Sequence, residues 1–251
     1  MSFYTWKTDR IKRYSLIIIL ALFCAFMMWI GQRSQLPVFS NDGESRALSK
    51  GNGDQPFIAL TFNISWGNEK VHDILEKLKT HKAKATFFLS GSWAERHPDI
   101  VEDIHEGKHE IAMMGYEYES YAKMEPEQIR KDIQKAKEAF EKLGFEDVNY
   151  LRPPHGHLNQ EVLTAIEKEG LETVQWSLNP RDWENPGTNA IINQIMENSS
   201  KGDIILLHAS DSIKQTAKAL EVIIPGLKQK DLKFVTITEL VNGGQAKIKE
   251  E

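Results

Sequence analysis

Residues 61–67 read Thr61-Phe62-Asn63-Ile64-Ser65-Trp66-Gly67. An apolar run, Phe57-Ile58-Ala59-Leu60-Thr61-Phe62, leads into this segment, and a helix is predicted to leave it at about Asn68. The segment is therefore a turn at the C-terminal end of a β-strand. Because α/β folds place their chemistry at this end of their strands, the turn is the first candidate functional position.

The composition describes an acidic chain with enough apolar residues for a buried core. The chain has 251 residues, of which 41% are hydrophobic, and a net charge of -5. This length suits one large domain or two small ones. The negative balance argues against a nucleic-acid partner. Cys24 is the single cysteine, which excludes an internal disulfide framework.

The N-terminus combines positive charge with an apolar run. Four basic residues come first: Lys7, Arg10, Lys12 and Arg13. The apolar run then extends from Leu16 to Ile30. A positive flank before such a run places the rest of the chain outside the membrane. We therefore predict a cytoplasmic segment at 1–13 and an uncleaved transmembrane signal anchor at 14–31.

Two other interpretations of the apolar run are a cleaved signal peptide and a lipoprotein signal. Cleavage requires small residues before the cut, and Met28-Trp29-Ile30 does not supply them. A lipoprotein signal would use Cys24, but Phe23 in front of it is too large. The uncleaved anchor is therefore favoured over both.

A polar segment at 32–55 predicts a flexible tether, and strands then alternate with helices through a domain at 56–241, before a polar tail at 242–251. The predicted strands are Phe57–Phe62, Lys84–Leu89, Glu110–Met113, Asn149–Leu151, Glu172–Leu178, Asp203–Leu207 and Lys233–Ile237. The predicted helices are Glu69–Thr80, Trp93–Glu106, Pro126–Leu143, Gln160–Glu169, Asn189–Asn198 and Ser212–Lys230. This alternation predicts an α/β fold with a mainly parallel sheet, arranged as an irregular seven-stranded (β/α) barrel.

The turn at 61–67 resembles the first motif of the polysaccharide deacetylases, the carbohydrate esterases that share the NodB homology domain. The resemblance covers about Pro56 to Val241 and implies the irregular barrel of that family. The family has Thr-Phe-Asp-Asp-Gly at this turn, with the first Asp as general base and the second as metal ligand. Those positions hold Asn63 and Ile64 here.

The second motif follows His109-Glu110-Ile111, where the family has Gly-Asn-His-Ser/Thr-x-x-His with two zinc ligands. The ligand positions hold Met114 and Tyr118. Ile64 cannot bind zinc, a thioether is a soft ligand, and a phenol with a pKa of about 10 is a poor one at neutral pH. We therefore expect no cofactor, and zinc only if this altered site is functional.

The third motif is retained. Arg152-Pro153-Pro154-His155-Gly156 resembles the family's Arg-Pro-Pro-Tyr/Trp-Gly. The resemblance implies that Arg152 faces position 63, and that Pro153, Pro154 and His155 line the substrate groove. A purely structural role for Arg152, as a buried hydrogen-bond donor, remains the alternative.

The fourth motif runs from Trp176 to Trp183. The family has an Asp at the position of Asn179 and keeps the Asp-Trp pair that follows. The resemblance implies that Asp182 orients the acid histidine and that Trp183 walls the acetyl pocket. Turn capping by Asp182 and core packing by Trp183 are the alternatives.

The fifth motif is Leu206-Leu207-His208, which resembles the family's Leu-x-His and implies a groove role for Leu206 and a general-acid role for His208. A histidine with only a core-packing role is the alternative. His155, His157 and His208 could also form a substitute metal site, which we keep as a separate hypothesis.

Three further segments are similar to the PdaB-type sporulation proteins of endospore-forming bacteria: 63–67, 115–116 and 181–187. The resemblance implies the spore envelope as context and a cell-wall or spore-cortex glycan as partner. The basic flank before the apolar run places the barrel on the extracytoplasmic side of the cell membrane. Two hypotheses follow. In the first, the protein binds N-acetylated glycan and is catalytically impaired. In the second, it is an active metal-dependent N-deacetylase of peptidoglycan or chitooligosaccharide with a rearranged site.

Overall fold

The computed structural model describes residues 46–245. The predicted anchor at 14–31, the basic segment before it and the first part of the tether lie outside the described residues, as does the tail from 246 onward. No helix within 46–245 combines the length and apolarity that crossing a membrane requires.

Seven parallel strands form the centre of the described chain. They are β1 (Phe57–Ile64), β2 (Thr86–Leu89), β3 (Glu110–Met113), β4 (Tyr150–Leu151), β5 (Glu172–Thr173), β6 (Ile204–His208) and β7 (Lys233–Phe234). The order is β5-β4-β3-β2-β1-β6, and β7 pairs with the start of β1. A further bridge joins Leu178, beyond β5, to Ile205 of β6. The predicted parallel α/β fold is confirmed. The bridge links the segment after β5 to β6 at the other end of the strand order, which is consistent with the predicted barrel.

The two faces of β1 bury different residues. Ile58, Leu60, Phe62 and Ile64 belong to a large apolar cluster that includes the buried faces of the surrounding helices. Ala59 belongs to a smaller cluster inside the barrel. Because strand side chains alternate in direction, Asn63 points inward with Ala59 and Ile64 points outward to the helices. The strand extends two residues past the predicted end at Phe62.

Within residues 46–245, eight α-helices surround the strands. They are α1 (Lys70–Thr80), α2 (Gly91–Arg96), α3 (Pro98–Glu106), α4 (Pro126–Lys142), α5 (Gln160–Lys168), α6 (Thr188–Asn198), α7 (Thr216–Gln229) and α8 (Ile237–Gln245). The prediction of one helix over 93–106 was wrong, because His97 leaves the helical conformation in front of Pro98. The predicted strand at 233–237 ends at Phe234, and α8, which was not predicted, continues into the predicted tail.

Residues 46–55 correct the prediction of a tether that reaches residue 55. Leu48 is buried, its N–H donates to the Thr173 carbonyl at 2.8 Å, and its carbonyl accepts from Gln175 N at 2.7 Å. Gly51 N donates to the Gly202 carbonyl at 2.8 Å. The polar composition of this segment gave no sign that Leu48 is buried. It also gave no sign of the backbone hydrogen bonds that hold the segment between β5 and β6.

Candidate active site

The C-terminal ends of β1, β4 and β6 bring the predicted site residues together. Asn63 ends the inward face of β1 and is the register partner of His208 at the end of β6. Arg152 directly follows β4 and reaches Asn63 from across the barrel. We call this end of the barrel the mouth and define it by Asn63, Arg152, Trp183 and His208.

Arg152 lies at the base of the mouth and is fully buried. Its Nη1 donates to Asn63 Oδ1 at 2.8 Å, as the motif comparison predicted, and its Nη2 donates to the Gln175 carbonyl at 3.0 Å. The guanidinium also stacks on Phe88, 3.9 Å from the ring centroid. Burial lowers the pKa of Arg152 to about 9, so the side chain remains charged at neutral pH.

Asp182 and His208 form the second polar group of the mouth. Asp182 is fully buried, and its Oδ1 lies 2.8 Å from His208 Nδ1. Its Oδ2 accepts from the His208 backbone N–H at 2.9 Å and from Thr216 Oγ1 at 2.7 Å. Because the carboxylate accepts, the proton of neutral His208 is assigned to Nδ1, which leaves Nε2 for the mouth.

Asn179 does not take part in this arrangement, since its Oδ1 accepts a local hydrogen bond from Arg181 N at 2.9 Å. The structure therefore selects Asp182 as the residue that orients His208. Thr216 was missed by the sequence analysis. It lies at the start of α7 with no motif around it, and only the fold brings it to Asp182.

The remaining predicted groove residues differ in exposure. Trp183 is 39% exposed to solvent, and its ring packs edge-to-face on the His208 ring at a centroid distance of 5.2 Å. Leu206 is 3% exposed, and Pro153 and Pro154 are also buried. Trp183 can therefore contact a ligand directly, whereas the other three shape the groove from below.

The positions that correspond to the family's metal ligands do not fit zinc. Ile64 is fully buried in the helix-facing cluster, and Met114 is fully buried beside Phe88 inside the barrel. Burial raises the pKa of the Tyr118 phenol, which disfavours the phenolate that would bind a metal. These three groups supply neither imidazole nor carboxylate to an ion.

The hypothesis of a substitute site at His155, His157 and His208 is not supported. His155 and His157 stack at 5.7 Å, while His157 Nδ1 contacts Ser120 Oγ at 2.8 Å. His208 instead pairs with Asp182. Across residues 46–245, no group of three His, Cys, Asp or Glu side chains is placed to hold a metal ion.

His155 adopts a left-handed backbone conformation with φ of 61° and is exposed. Its Nε2 lies 3.2 Å from the Tyr118 carbonyl, and the two rings are 4.3 Å apart. The next residue, Gly156, packs so closely on Trp176 that a Cβ there would lie 2.3 Å from the indole. The loop is thus closely packed at Gly156, with His155 at its outer surface.

Comparisons with known proteins agree with the motif resemblance. The family model described as polysaccharide deacetylase matches residues 50–174. A peptidoglycan-N-acetylglucosamine deacetylase from Bacillus cereus is 35% identical over 191 residues, which covers 75% of this chain and 89% of that relative.

Solved structures give the same assignment. A carbohydrate esterase family 4 pseudoenzyme from Bacillus anthracis is 30% identical, with a TM-score of 0.74 over 80% of this chain and 70% of that one. A mutant of that pseudoenzyme, described as having restored enzymatic activity, matches with a TM-score of 0.74 and 30% identity over 80% of this chain and 72% of that one.

Proposed function

Because this chain belongs to the polysaccharide deacetylase family, we propose that it binds N-acetylated cell-wall glycan at the mouth and that its deacetylase chemistry is impaired. Family members generally use a divalent metal. The observation that carries the proposal is the set of residues at the base and ligand positions: Asn63, Ile64, Met114 and Tyr118.

Each substitution removes a specific chemical step. The Asn63 amide cannot take a proton from an attacking water, as a carboxylate base would. Without imidazole or carboxylate at the three ligand positions, no metal is held to activate that water. His208 still offers Nε2 to a leaving group, held in place through Nδ1 by Asp182. The retained half of the mouth can therefore orient a ligand and hold a proton, but it has no nucleophile to assist.

The choice of glycan is supported by the relatives. The Bacillus cereus relative is named for peptidoglycan N-acetylglucosamine, a cell-wall sugar. The exposed indole of Trp183 beside His208 gives a sugar ring a flat apolar surface. A role at the spore cortex during sporulation is part of the proposal and is supported by the motif resemblance at 63–67, 115–116 and 181–187.

We extend the proposal to location. The basic residues in 1–13 and the apolar run that follows support a membrane anchor with the barrel on the outer side. Fractionation of cells that produce the full chain should recover it with the membranes, and removal of residues 1–31 should release it. Recovery of a shortened soluble chain whose N-terminus lies near Gln35 would show cleavage instead.

The function is tested on the purified full chain, with the Bacillus cereus deacetylase as the active control. We expect no stoichiometric zinc, no acetate release from acetylated chitooligosaccharides, and weak saturable binding of the same oligosaccharides. Bound zinc together with acetate release would establish the alternative, an active N-deacetylase with a rearranged site. Absence of binding up to millimolar oligosaccharide would contradict the glycan-binding role.

A further inference from the structure

Arg152 carries a buried positive charge whose hydrogen-bond partners are all neutral. Its three nitrogens donate to Asn63 Oδ1, to the Gln175 carbonyl and, at 3.4 Å, to the Val174 carbonyl. No salt bridge involving Arg152 is formed within residues 46–245. A buried charge without a counter-ion is unfavourable, so the base of the mouth favours the approach of an anion.

The orientation of Asn63 follows from its contact with Arg152. A guanidinium has only donors, so the Asn63 oxygen must face it and the Nδ2 amide must point away. In the described part of the chain, the atoms that are buried without a partner are Ser90 Oγ and His109 Nδ1. Asn63 is buried with 6% exposure, and its Nδ2 has no acceptor within residues 46–245; since it is not among these enclosed atoms, it keeps a small contact with solvent at the mouth.

This arrangement reverses the polarity of position 63. A carboxylate there would accept a proton or a hydrogen bond, whereas the amide presents two donors. The negative end of the amide dipole faces Arg152, and its positive end faces the ligand. The dipole and the buried charge of Arg152 therefore both make the electrostatic potential at the ligand more positive. A hydrogen bond from such a donor is strongest when its acceptor is itself charged.

The buried carboxylate of Asp182 is directed at His208 and Thr216, and it makes no hydrogen bond to Asn63 or Arg152 within residues 46–245. His208 is the register partner of Asn63 on the neighbouring strand, so the two side chains leave the sheet on the same side. Asp182 contacts His208 through Nδ1, on the side of the ring away from the free Nε2. Both of its oxygens are already taken by three donors, from His208 and Thr216.

We propose that the mouth binds a carboxylate group at Asn63 Nδ2, and that it consequently prefers a carboxylate-bearing sugar unit to a neutral N-acetyl sugar. One carboxylate oxygen accepts from the Asn63 amide, and the anion becomes the counter-ion of Arg152. The preference for a sugar rests on the proposed glycan function, whereas the carboxylate site itself rests on the geometry of Asn63 and Arg152.

The test uses the ¹⁵N-labelled full chain and nuclear magnetic resonance. The side-chain amide signals of Asn63 are assigned by their loss in Asn63→Asp. Acetate and acetamide are titrated separately at constant ionic strength, because the two probes share their shape and differ in charge. We expect acetate to shift these signals saturably, at roughly ten-fold lower concentration than acetamide. Equal effects of the two probes, or no shift, would overturn the site.

Two substitutions separate the site from general charge effects. Asn63→Asp supplies Arg152 with a counter-ion, so acetate binding, followed in both proteins by the Trp183 indole N–H signal, should be lost while the thermal midpoint rises. Asn193→Asp introduces the same charge on the exposed surface of α6 and should leave acetate binding unchanged. Acetate binding that survives in Asn63→Asp would contradict the proposal, whatever the stability of the variant.

The sugar preference is measured with N-acetylmuramic acid and N-acetylglucosamine, which share the N-acetyl sugar and differ by a carboxylate-bearing lactyl group. We expect the acidic sugar to bind more tightly and to shift the Asn63 signals. Binding of neutral chitooligosaccharides without any response to either carboxylate would sink the inference and leave the glycan function intact. A response to acetate with no binding of any sugar would leave the carboxylate site intact and remove its sugar preference together with the glycan function.

Discussion

Two groups of motif residues near the mouth, which we call its two halves, have opposite characters. On one side, Asp182 and His208 form a hydrogen-bonded pair in which both carboxylate oxygens are satisfied. On the other side, Ile64 and Met114 are fully buried apolar residues. The first half holds hydrogen-bonded polar groups, and the second half belongs to the apolar clusters.

The difference follows from what each half does for the fold. Asp182 ties the end of β6 to the start of α7 through the His208 backbone and Thr216, so its loss would leave buried donors without an acceptor. A buried metal-ligand carboxylate has no such structural task and is costly without its ion. Replacement by Ile64 removes that cost and adds apolar burial. The first half thus contributes hydrogen bonds to the fold, and the second half contributes apolar burial.

The most demanding test of the comparison is to rebuild the altered half. Asn63→Asp, Ile64→Asp, Met114→His and Tyr118→His together should restore zinc binding, at about one ion per chain, and raise acetate release by about a hundred-fold or more over background. Metal analysis and an acetate assay on chitooligosaccharides measure the two effects.

The matched control keeps Asn63 and carries the other three changes. It should bind zinc and remain inactive, because it lacks the base. Activity without Asp at position 63 would show that another group accepts the proton. Failure of the four-fold variant to take up zinc would show that the outward direction of residue 64 prevents ligation.

A single Ile64→Asp substitution should show how strongly residue 64 contributes to the stability of the apolar core. An unpaired carboxylate would then face the helix-facing cluster, and we expect a loss of about 3–5 kcal/mol in the free energy of unfolding. Denaturant titration of the full chain measures the loss. Ile64→Val, which keeps the site apolar, should cost about 1 kcal/mol. Similar losses for both variants would mean that residue 64 is not part of the core.

The stability of the fold at acid pH should depend on a residue remote from both halves. His109 lies before β3, is buried, and its Nδ1 has no partner among the described residues. Burial lowers the pKa of His109 from 6.5 to about 4. As the pH falls, the unfolded chain binds this proton before the folded chain does. The free energy of unfolding is therefore highest above pH 6.5 and falls by about 3 kcal/mol as the pH is lowered to 4.

Denaturation curves between pH 7 and pH 4 measure this loss, and His109→Phe should reduce it while leaving the mouth unchanged. An unaltered pH dependence in that variant would assign the effect to other groups. Comparisons between the two halves of the mouth should accordingly be made near neutral pH.

The smallest expected effects come from two opposite exchanges, one at Asp182 and one at Asn63. In Asp182→Asn the amide oxygen can keep the donors from His208 N and Thr216, but the N–H₂ group then faces His208 Nδ1–H, so we expect the fold to lose about 2 kcal/mol. Asn63→Asp, the reverse exchange, should stabilise it by pairing with Arg152. Thermal melting of the two variants gives the comparison, and equal signs would contradict the assignment of a satisfied half and an unsatisfied half.

Several features could be predicted from the sequence because they depend on local pattern. Apolar runs of strand length located all seven strands, and prolines marked the start of a helix such as α4. The motif at 61–67 and the Arg152 motif identified the family, which the comparisons confirm. The residue types at positions 63, 64, 114 and 118 also predict altered metal and base chemistry, and this stays a prediction.

Other features depend on contacts between residues that are distant in the sequence, and only the folded chain decides them. Asp182 rather than Asn179 holds His208, and Thr216 completes that network from another helix. Leu48 pairs with the segment after β5, although its polar sequence neighbours predict a flexible tether. Arg152 fixes the direction of the Asn63 amide across 89 residues of sequence. Periodicity and composition report the local preference of a segment, whereas the partner of a buried polar group is selected by three-dimensional packing.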